Sequence, residues 1–299
     1  MKDYKNETVS VVIPTCNRPQ YLQTAIQSVL DQTVPVFEII IVDDSSDDVQ
    51  NEDVIQLFSD ERIRYVKHPI RKGANVARNT GIRLSRGKFV AFLDDDDRWL
   101  PHKLEKQIPV FLKDKEIGAV YCGMTGLDLE TGSIHPFKKR KFYTGWLYKK
   151  MLIQDITNGT PTYVVRREVF EEVGLFDDSL PARQDWDMWI RISEIYRISC
   201  IEEYLVYAGE HNKESIRGSD DRSLNAYKAI LAKYEPQRRE VGLCLNRKAK
   251  SVYYQRISAI YRQKKLFKPS MVNSFLGILT WPFYYRNYGG MIKSLSLIF

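Results

Sequence analysis

The sequence predicts an α/β fold in which a mostly parallel sheet carries helices on both faces, followed by a helical, basic and aromatic tail. Three observations predict it. Continuous apolar runs (Val9–Ile13, Phe37–Val42, Phe89–Leu93) alternate with stretches whose apolar residues recur at helical spacing, as expected of strands buried on both faces. Each run ends in a polar cluster: Pro14 and Thr15, Asp43 and Asp44, then Asp94–Asp97. The charge is also split along the chain. The net charge is +7, yet no Asp or Glu follows Glu240, where ten Lys and Arg lie; taking those ten from the total leaves −3 for residues 1–240.

The elements follow in order. Val9–Ile13 is the first strand; Pro19 suits a first helical turn, and Tyr21, Leu22, Ala25, Ile26, Val29 and Leu30 share a helix face. Phe37–Val42 is the second strand. Asp47 or Asp48 is placed to cap a helix whose apolar face includes Val49, Val54 and Leu57, and Ile63–Lys67 reads as the third strand. Ala74–Leu84 is helical, Phe89–Leu93 is the fourth strand, and a helix starts near Pro101. Beyond Tyr121 the pattern is less regular: a hairpin near Thr131–Gly132, a strand at Tyr163–Arg166, a helix from Arg167 and another around Trp186–Tyr196.

A chain of 299 residues with 43% hydrophobic and 28% charged residues, without repeats or low-complexity tracts, is neither disordered nor fibrous. Cys16, Cys122, Cys200 and Cys244 are far apart, with no CxxC pair and no zinc-ligand spacing. They read as reduced thiols. The N-terminus shows no signal-peptide pattern, so a cytoplasmic location is expected.

In open α/β sheets, ligands gather at the carboxyl ends of the strands, where the three polar clusters fall. Four consecutive carboxylates repel one another and call for positive charge, for which a divalent cation is the natural remedy. A solvated acidic turn is the other reading. Asp43 and Asp44 are likewise open to a helix-capping role.

The stretches Val11-Val12-Ile13-Pro14-Thr15-Cys16-Asn17-Arg18, Ile41-Val42-Asp43-Asp44-Ser45-Ser46-Asp47, Gly73 through Ala77-Arg78-Asn79-Thr80-Gly81-Ile82, Phe92-Leu93-Asp94-Asp95-Asp96-Asp97 and Gln184-Asp185-Trp186-Asp187-Met188-Trp189 occur in one order. Together they resemble family 2 glycosyltransferases with the Rossmann-like GT-A fold. The resemblance implies a hexosyltransferase that inverts the anomeric centre while moving a sugar from a nucleotide diphosphate donor, most commonly a UDP-sugar, to an acceptor hydroxyl. It places the nucleotide at Pro14, Thr15, Asn17, Asp44, Arg78, Asp94 and Asp95, and a divalent cation, Mn2+ or Mg2+, at Asp96 with His211. It makes Asp185 the base; from the residues alone, Asp185 also suits an N-cap, and His211 a structural role. Asp187 is the rival carboxylate. Trp186, Met188 and Trp189 offer surfaces to an acceptor or to the core, and Trp189 is read as core. The family's usual small residue within D-x-D is Asp95 here, and its usual Glu before the base is Gln184.

Residues 1–215 read as the catalytic domain and 216–299 as a helical tail. In the tail, Val252, Tyr253, Ile257, Ile260 and Tyr261 form the apolar face of a basic helix, and Phe275–Tyr285 is an aromatic segment too short to cross a bilayer. The expected partners are a nucleotide-sugar donor, a saccharide or lipid-linked acceptor from surface polysaccharide or glycolipid assembly, and an anionic membrane surface reached from the cytoplasm. A sugar nucleotidyltransferase would need a Gly-rich basic loop after the first strand, which Pro14-Thr15-Cys16-Asn17 is not. A nucleic-acid-binding protein would suit the tail, but the acidic body argues against it, and no nucleic acid is expected.

Overall fold

The computed structural model describes residues 7–44, 50–137, 141–210 and 220–296. They form two compact units. The first comprises Met1–Leu147, Thr157–Asp178 and Arg191–Lys213, and the second Tyr148–Ile156, Ser179–Ile190 and Glu214–Phe299.

The first unit is built on one sheet of strands β1 (Val9–Thr15), β2 (Glu38–Asp43), β3 (Ile63–Lys67), β4 (Phe89–Phe92), β5 (Arg98–Trp99), β6 (Ile117–Asp128), β7 (Ile134–His135), β8 (Val164–Arg166) and β9 (Arg197–Glu210). Their spatial order is β3-β2-β1-β4-β8-β6-β9-β5, with β7 on β6. The first four strands are mutually parallel; β8 then pairs antiparallel with β4 and β6, β9 parallel with β6, and β5 antiparallel with β9. The direction changes in the half where the sequence pattern loses its regularity.

β1, β2 and β4 are buried at every position because both faces are covered. Val9, Val11, Ile13, Ile39 and Ile41 share a core with Leu22, Ala25, Ile26 and Val29 of helix α1 (Pro19–Leu30). The alternate residues Ile40 and Val42 pack on the other face with Ala77. Helix α2 spans Gln50–Gln56 and α3 Ala74–Leu84. Asp47, Asp48 and Val49, expected to open α2, lie outside the described residues. Val54 is buried as expected, whereas Leu57 lies past the helix end and is exposed. In α3, a Cβ on Gly81 would fall 2.2 Å from Val12 Cγ1, so only glycine lets this helix approach β1 so closely.

Helix α4 (Lys103–Lys113) is pinned by Gln107, whose Nε2 donates to Val120 O and Thr162 O at 2.9 Å each. The fully buried Lys103 ammonium lies 3.9 Å from the Trp99 ring centroid, with no hydrogen-bond partner among the described residues.

Helices α5 (Tyr148–Met151), α8 (Asp220–Lys233), α9 (Glu235–Val241), α10 (Leu243–Gln263), α11 (Phe267–Thr280) and α12 (Arg286–Leu295) belong to the second unit. Helix α6 (Val169–Val173) lies in the first, and α7 (Gln184–Ile195) begins in the second and ends in the first. The sequence left the apolar face of α10 free for a membrane, but the structure covers it: Ile257 and Ile260 cluster with Leu224 of α8, and Tyr227, Tyr253 and Tyr261 pack around them. The interior of α10–α12 is polar. Ser258 Oγ lies 2.9 Å from Ser270 Oγ and 2.8 Å from Ser274 Oγ, Ser270 Oγ lies 2.8 Å from Ser294 Oγ, and Asn287 Nδ2 donates to Ser251 Oγ at 2.8 Å. A Cβ on Gly277 would meet the Asn287 amide at 2.6 Å.

Burial pushes the Lys103 ammonium from 10.5 down to about 8. Between those values the unfolded chain holds a proton that the folded chain has shed, so stability rises with pH across that window. Lys103→Met is expected to stabilise the protein at pH 7 by on the order of 1–2 kcal/mol, because a buried charge is removed at similar volume. It should also flatten the rise above pH 8. Urea unfolding of both proteins at pH 7 and pH 10 checks this; equal pH dependence would show that Lys103 does not titrate as described.

Candidate active site

Because β1, β2 and β4 are parallel and in register (Thr15↔Asp43, Val12↔Phe92), their carboxyl ends open on one edge of the sheet. β4 pairs with β1 only as far as Val12, so the N–H that Pro14 lacks falls beyond that ladder. Asn17 has a left-handed backbone (φ 54°), which asparagine tolerates, and its turn leads to Arg18.

Arg18 lies among the carboxylates. Its Nη1 is 3.2 Å from Asp95 Oδ1 and 2.9 Å from Asp96 Oδ2, while Thr15 Oγ1 donates to Asp95 Oδ2 at 2.8 Å. Arg78 Nη2 donates to Asp94 Oδ1 at 2.5 Å, and Asp97 Oδ1 accepts the Gly209 N–H at 2.9 Å. Two guanidiniums therefore supply positive charge that the sequence argument assigned to a cation alone. They do not balance the cluster. Burial pushes the Asp95 carboxyl up to about 7; Asp96 and Asp94 add to the rise, against the opposing pull of Arg18 and Thr15.

Asp94 and Asp96 are more accessible than Asp95, with side chains 31% and 19% exposed against 7%. Among the described residues, no three or more His, Cys, Asp or Glu side chains gather into a cation cage. An all-oxygen pair beside an under-compensated carboxylate nevertheless fits a hard divalent cation, which is commonly held by one or two carboxylates plus substrate phosphates and water. His211 lies outside the described residues.

Asp44 is buried and heavily engaged. Oδ1 lies 2.9 Å from His68 Nδ1 and accepts the Lys72 N–H at 2.9 Å, and Oδ2 accepts the Gly73 N–H at 2.6 Å. Burial alone would raise its pKa, but these partners hold it below the usual carboxylate range. Asp44 thus organises residues 68–73, with His68 Nε2 passing the chain on to Thr80 Oγ1 at 3.0 Å. Asp43 accepts from Asn51 and from Tyr65. The Asn79 amide exchanges two 2.9 Å bonds with the backbone of Phe176.

In the second unit, Arg183 (φ 59°) leads into α7. Asp185 is partly exposed, and its Oδ1 accepts the Trp186 N–H at 2.8 Å. Asp187, fully buried, pairs with Lys233 Nζ at 2.6 Å and accepts from Tyr234 OH at 2.7 Å, a structural tie between α7 and α8. Trp186, Met188 and Trp189 are all buried, and Trp186 Nε1 donates to Met151 O, so the two residues held open as acceptor surfaces belong, like Trp189, to the interior. The sequence patterns mark neither Arg18 nor His68 as a site residue. Arg18 was findable as the basic residue closest after the first strand end; nothing in the sequence pairs His68 with Asp44.

The family model described as Glycosyl transferase family 2 matches residues 10–174. An uncharacterized glycosyltransferase of Methanocaldococcus jannaschii is 32% identical over 202 residues, covering 66% of this chain and 69% of that one. TuaG of Bacillus subtilis, named for teichuronic acid biosynthesis, is 33% identical over 186 residues, covering 62% of this chain and 71% of its own. Among solved structures, S. aureus TarS 1-349 in complex with UDP-GlcNAc superposes with a TM-score of 0.64 at 16% identity, covering 96% of this chain and 89% of TarS 1-349. At that identity the likeness is one of fold.

Removing Arg18 leaves Asp95 and Asp96 facing each other. Arg18→Met is expected to cost about 1–3 kcal/mol at pH 8, less than a fully buried pair because Arg18 is partly exposed. Adding Asp95→Asn should recover most of the loss. A double-mutant cycle by thermal unfolding reads the coupling, and strictly additive effects would remove Arg18 from the cluster's charge balance.

Proposed function

The chain belongs to glycosyl transferase family 2 and is a glycosyltransferase; from that premise we propose that it transfers a hexose, with inversion, from a UDP-linked donor to a saccharide or lipid-linked acceptor in surface polysaccharide or glycolipid assembly. One observation carries this reading: the edge where Thr15 and Arg18 of the first strand turn hydrogen-bond the Asp94–Asp96 run. The donor diphosphate is dianionic or more, and this edge combines guanidinium donors with carboxylates suited to a bridging cation. TarS with UDP-GlcNAc and the naming of TuaG support the donor class and the polysaccharide setting.

Each residue then has a task. Pro14, Thr15 and Asn17 border the nucleotide, Asp44 holds the neighbouring 68–73 segment, and Arg78 positions Asp94. Asp94 and Asp95 serve the ribose side and Asp96 the metal, with His211 as its expected second ligand. Asp96 and His211 would hold a divalent cation, Mn2+ or Mg2+, whose chemistry would be to supply positive charge against the leaving nucleotide. Asp185 takes the acceptor hydroxyl proton as that oxygen bonds to the anomeric carbon; the carbon–phosphate oxygen bond breaks, and its electron pair leaves with UDP. The reaction is placed at the cytoplasmic face of a membrane, where the ten basic residues after Glu240 favour anionic lipid.

Asp96→Ala is expected to abolish the metal-dependent part of UDP-sugar binding with the fold intact, and chelator should mimic it. Calorimetric titration with and without Mn2+ reads both, and unchanged affinity in the variant would take Asp96 out of the site. Asp185→Asn should lower kcat by two or more orders of magnitude, on the order of the loss of a general base, with donor affinity nearly unchanged. NMR of the product formed from an α-linked donor should show a β linkage; an α product would sink the single-base mechanism.

A further inference from the structure

Helices α11 and α12 are inside out for a protein in water. The faces they bury carry Ser270, Ser274 and Gly277 on α11 and Asn287, Gly290 and Ser294 on α12. The faces they expose carry Val272, Phe275, Leu276 and Leu279 on α11, at the i, i+3, i+4, i+7 spacing of one stripe, and Tyr288 and Ile292 on α12. Phe275, Leu279 and Ile292 are 50%, 59% and 66% exposed. Between the helices, Phe283 and Tyr285 are exposed as well. Water drives apolar residues inward, whereas in lipid they gain nothing by hiding, and helices associate there through small residues and interhelical hydroxyl bonds. The chain of serine hydroxyls joining α10, α11 and α12 is such a contact.

We propose that the α11–α12 hairpin embeds its apolar face in one leaflet of an anionic membrane, with its polar seam turned away from the acyl chains. The charge pattern selects this occupant over a second copy of the chain. Lys265, Lys268, Arg286 and Lys293 are exposed on or beside the hairpin, and no Asp or Glu follows Glu240, so neither helix of the hairpin carries a carboxylate side chain of its own to pair with them. Two such faces repel each other, whereas each attracts acidic headgroups. The exposed Phe283, Tyr285 and Tyr288 suit the headgroup interface. The hairpin does not cross: no helix among the described residues is long and apolar enough to span a membrane, and α11, with 14 residues, is about 21 Å long.

This inference rests on the membrane location proposed above but not on the chemistry, and it makes a stronger claim than surface attraction. A protein held by charge alone is released by salt, while an inserted apolar face is not. The test compares the full chain with the full chain carrying Phe275→Ser, Leu279→Ser and Ile292→Ser, all at exposed positions; circular dichroism and UDP-sugar binding confirm that the fold is kept. Both are floated with phosphatidylglycerol vesicles at low salt and at about 1 M NaCl. The unsubstituted protein should float under both conditions. The variant should float at low salt only, with at least about tenfold weaker partitioning at high salt. If salt releases the unsubstituted protein, or the variant resists salt equally, the insertion is overturned and surface binding stands. If neither protein floats, the membrane location falls too, and a dimer that light scattering detects in the unsubstituted protein but not in the variant would assign the face to a second copy. UDP-sugar binding in every arm reports on the enzyme reading independently.

Discussion

Charge at the carboxyl edge of the sheet is the constraint around which the first unit is arranged. Four aspartates follow one buried strand, and the chain separates them by sending each toward a different element: Asp94 to α3, Asp95 to the end of β1, Asp96 to Arg18 and Asp97 to β9. Without those ties, like charges a few ångströms apart in a poorly hydrated setting would push the loop open. The turn at Asn17 brings Arg18 to them, and the packing of Gly81 under Val12 sets α3, and with it Arg78, close to β1. Even so, Asp95 is left under-compensated. An edge whose carboxylates are neutralised only in part by Arg18 and Arg78 suits a ligand that brings positive charge of its own, and the proposed cation is such a ligand.

The first half of the fold was legible because each of its elements depends on a local pattern. Val9–Ile13 is apolar and β-branched at every position but Ser10, Ile63–Lys67 carries the strand-favouring Ile63, Tyr65 and Val66, and Leu22, Ala25, Ile26 and Val29 fall on one helical face. The long strands β6 and β9 were not legible, because they hold each other through a register interrupted by bulges, and Gly123, Glu202, Glu203 and Tyr204 break any simple alternation. The polar clusters were found because parallel strands end together. What each residue does there was harder to see. Asp44 faces backbone N–H groups nearly thirty positions away, and Asn79 serves a turn near Phe176; neither pairing leaves a trace in local sequence. In the tail, amphipathicity identified α10 as two-faced but could not show that α8 already covers its apolar side.

The second unit uses hydroxyl and amide groups where the first uses aliphatic side chains. Ser251, Ser258, Ser270, Ser274, Asn287 and Ser294 are buried and hand hydrogen bonds to one another or to Gly277 O and Gly290 O. Such a seam provides directional contacts and close helix approach but removes little apolar area from water. Its geometry is therefore set by small side chains: at Gly277 and Gly290 a methyl group would land within 3 Å of a neighbouring polar atom.

The central position of β1 has a consequence for how the chain is made. β1 leaves the ribosome before the other strands of its sheet, yet its two neighbours are β2 and β4, and the Thr15–Asp95 hydrogen bond closes a separation of 80 residues. Until Phe89–Phe92 has been synthesised, β1, buried along its whole length in the finished fold, has one edge unpaired, with N–H and C=O groups available to any passing strand. Contacts so distant in sequence form slowly, and translation delivers residues at roughly 5–20 per second. The nascent chain therefore passes through several seconds in which self-association competes with folding. Chaperone demand during synthesis is accordingly a property of the strand order, independent of the stability of the finished sheet.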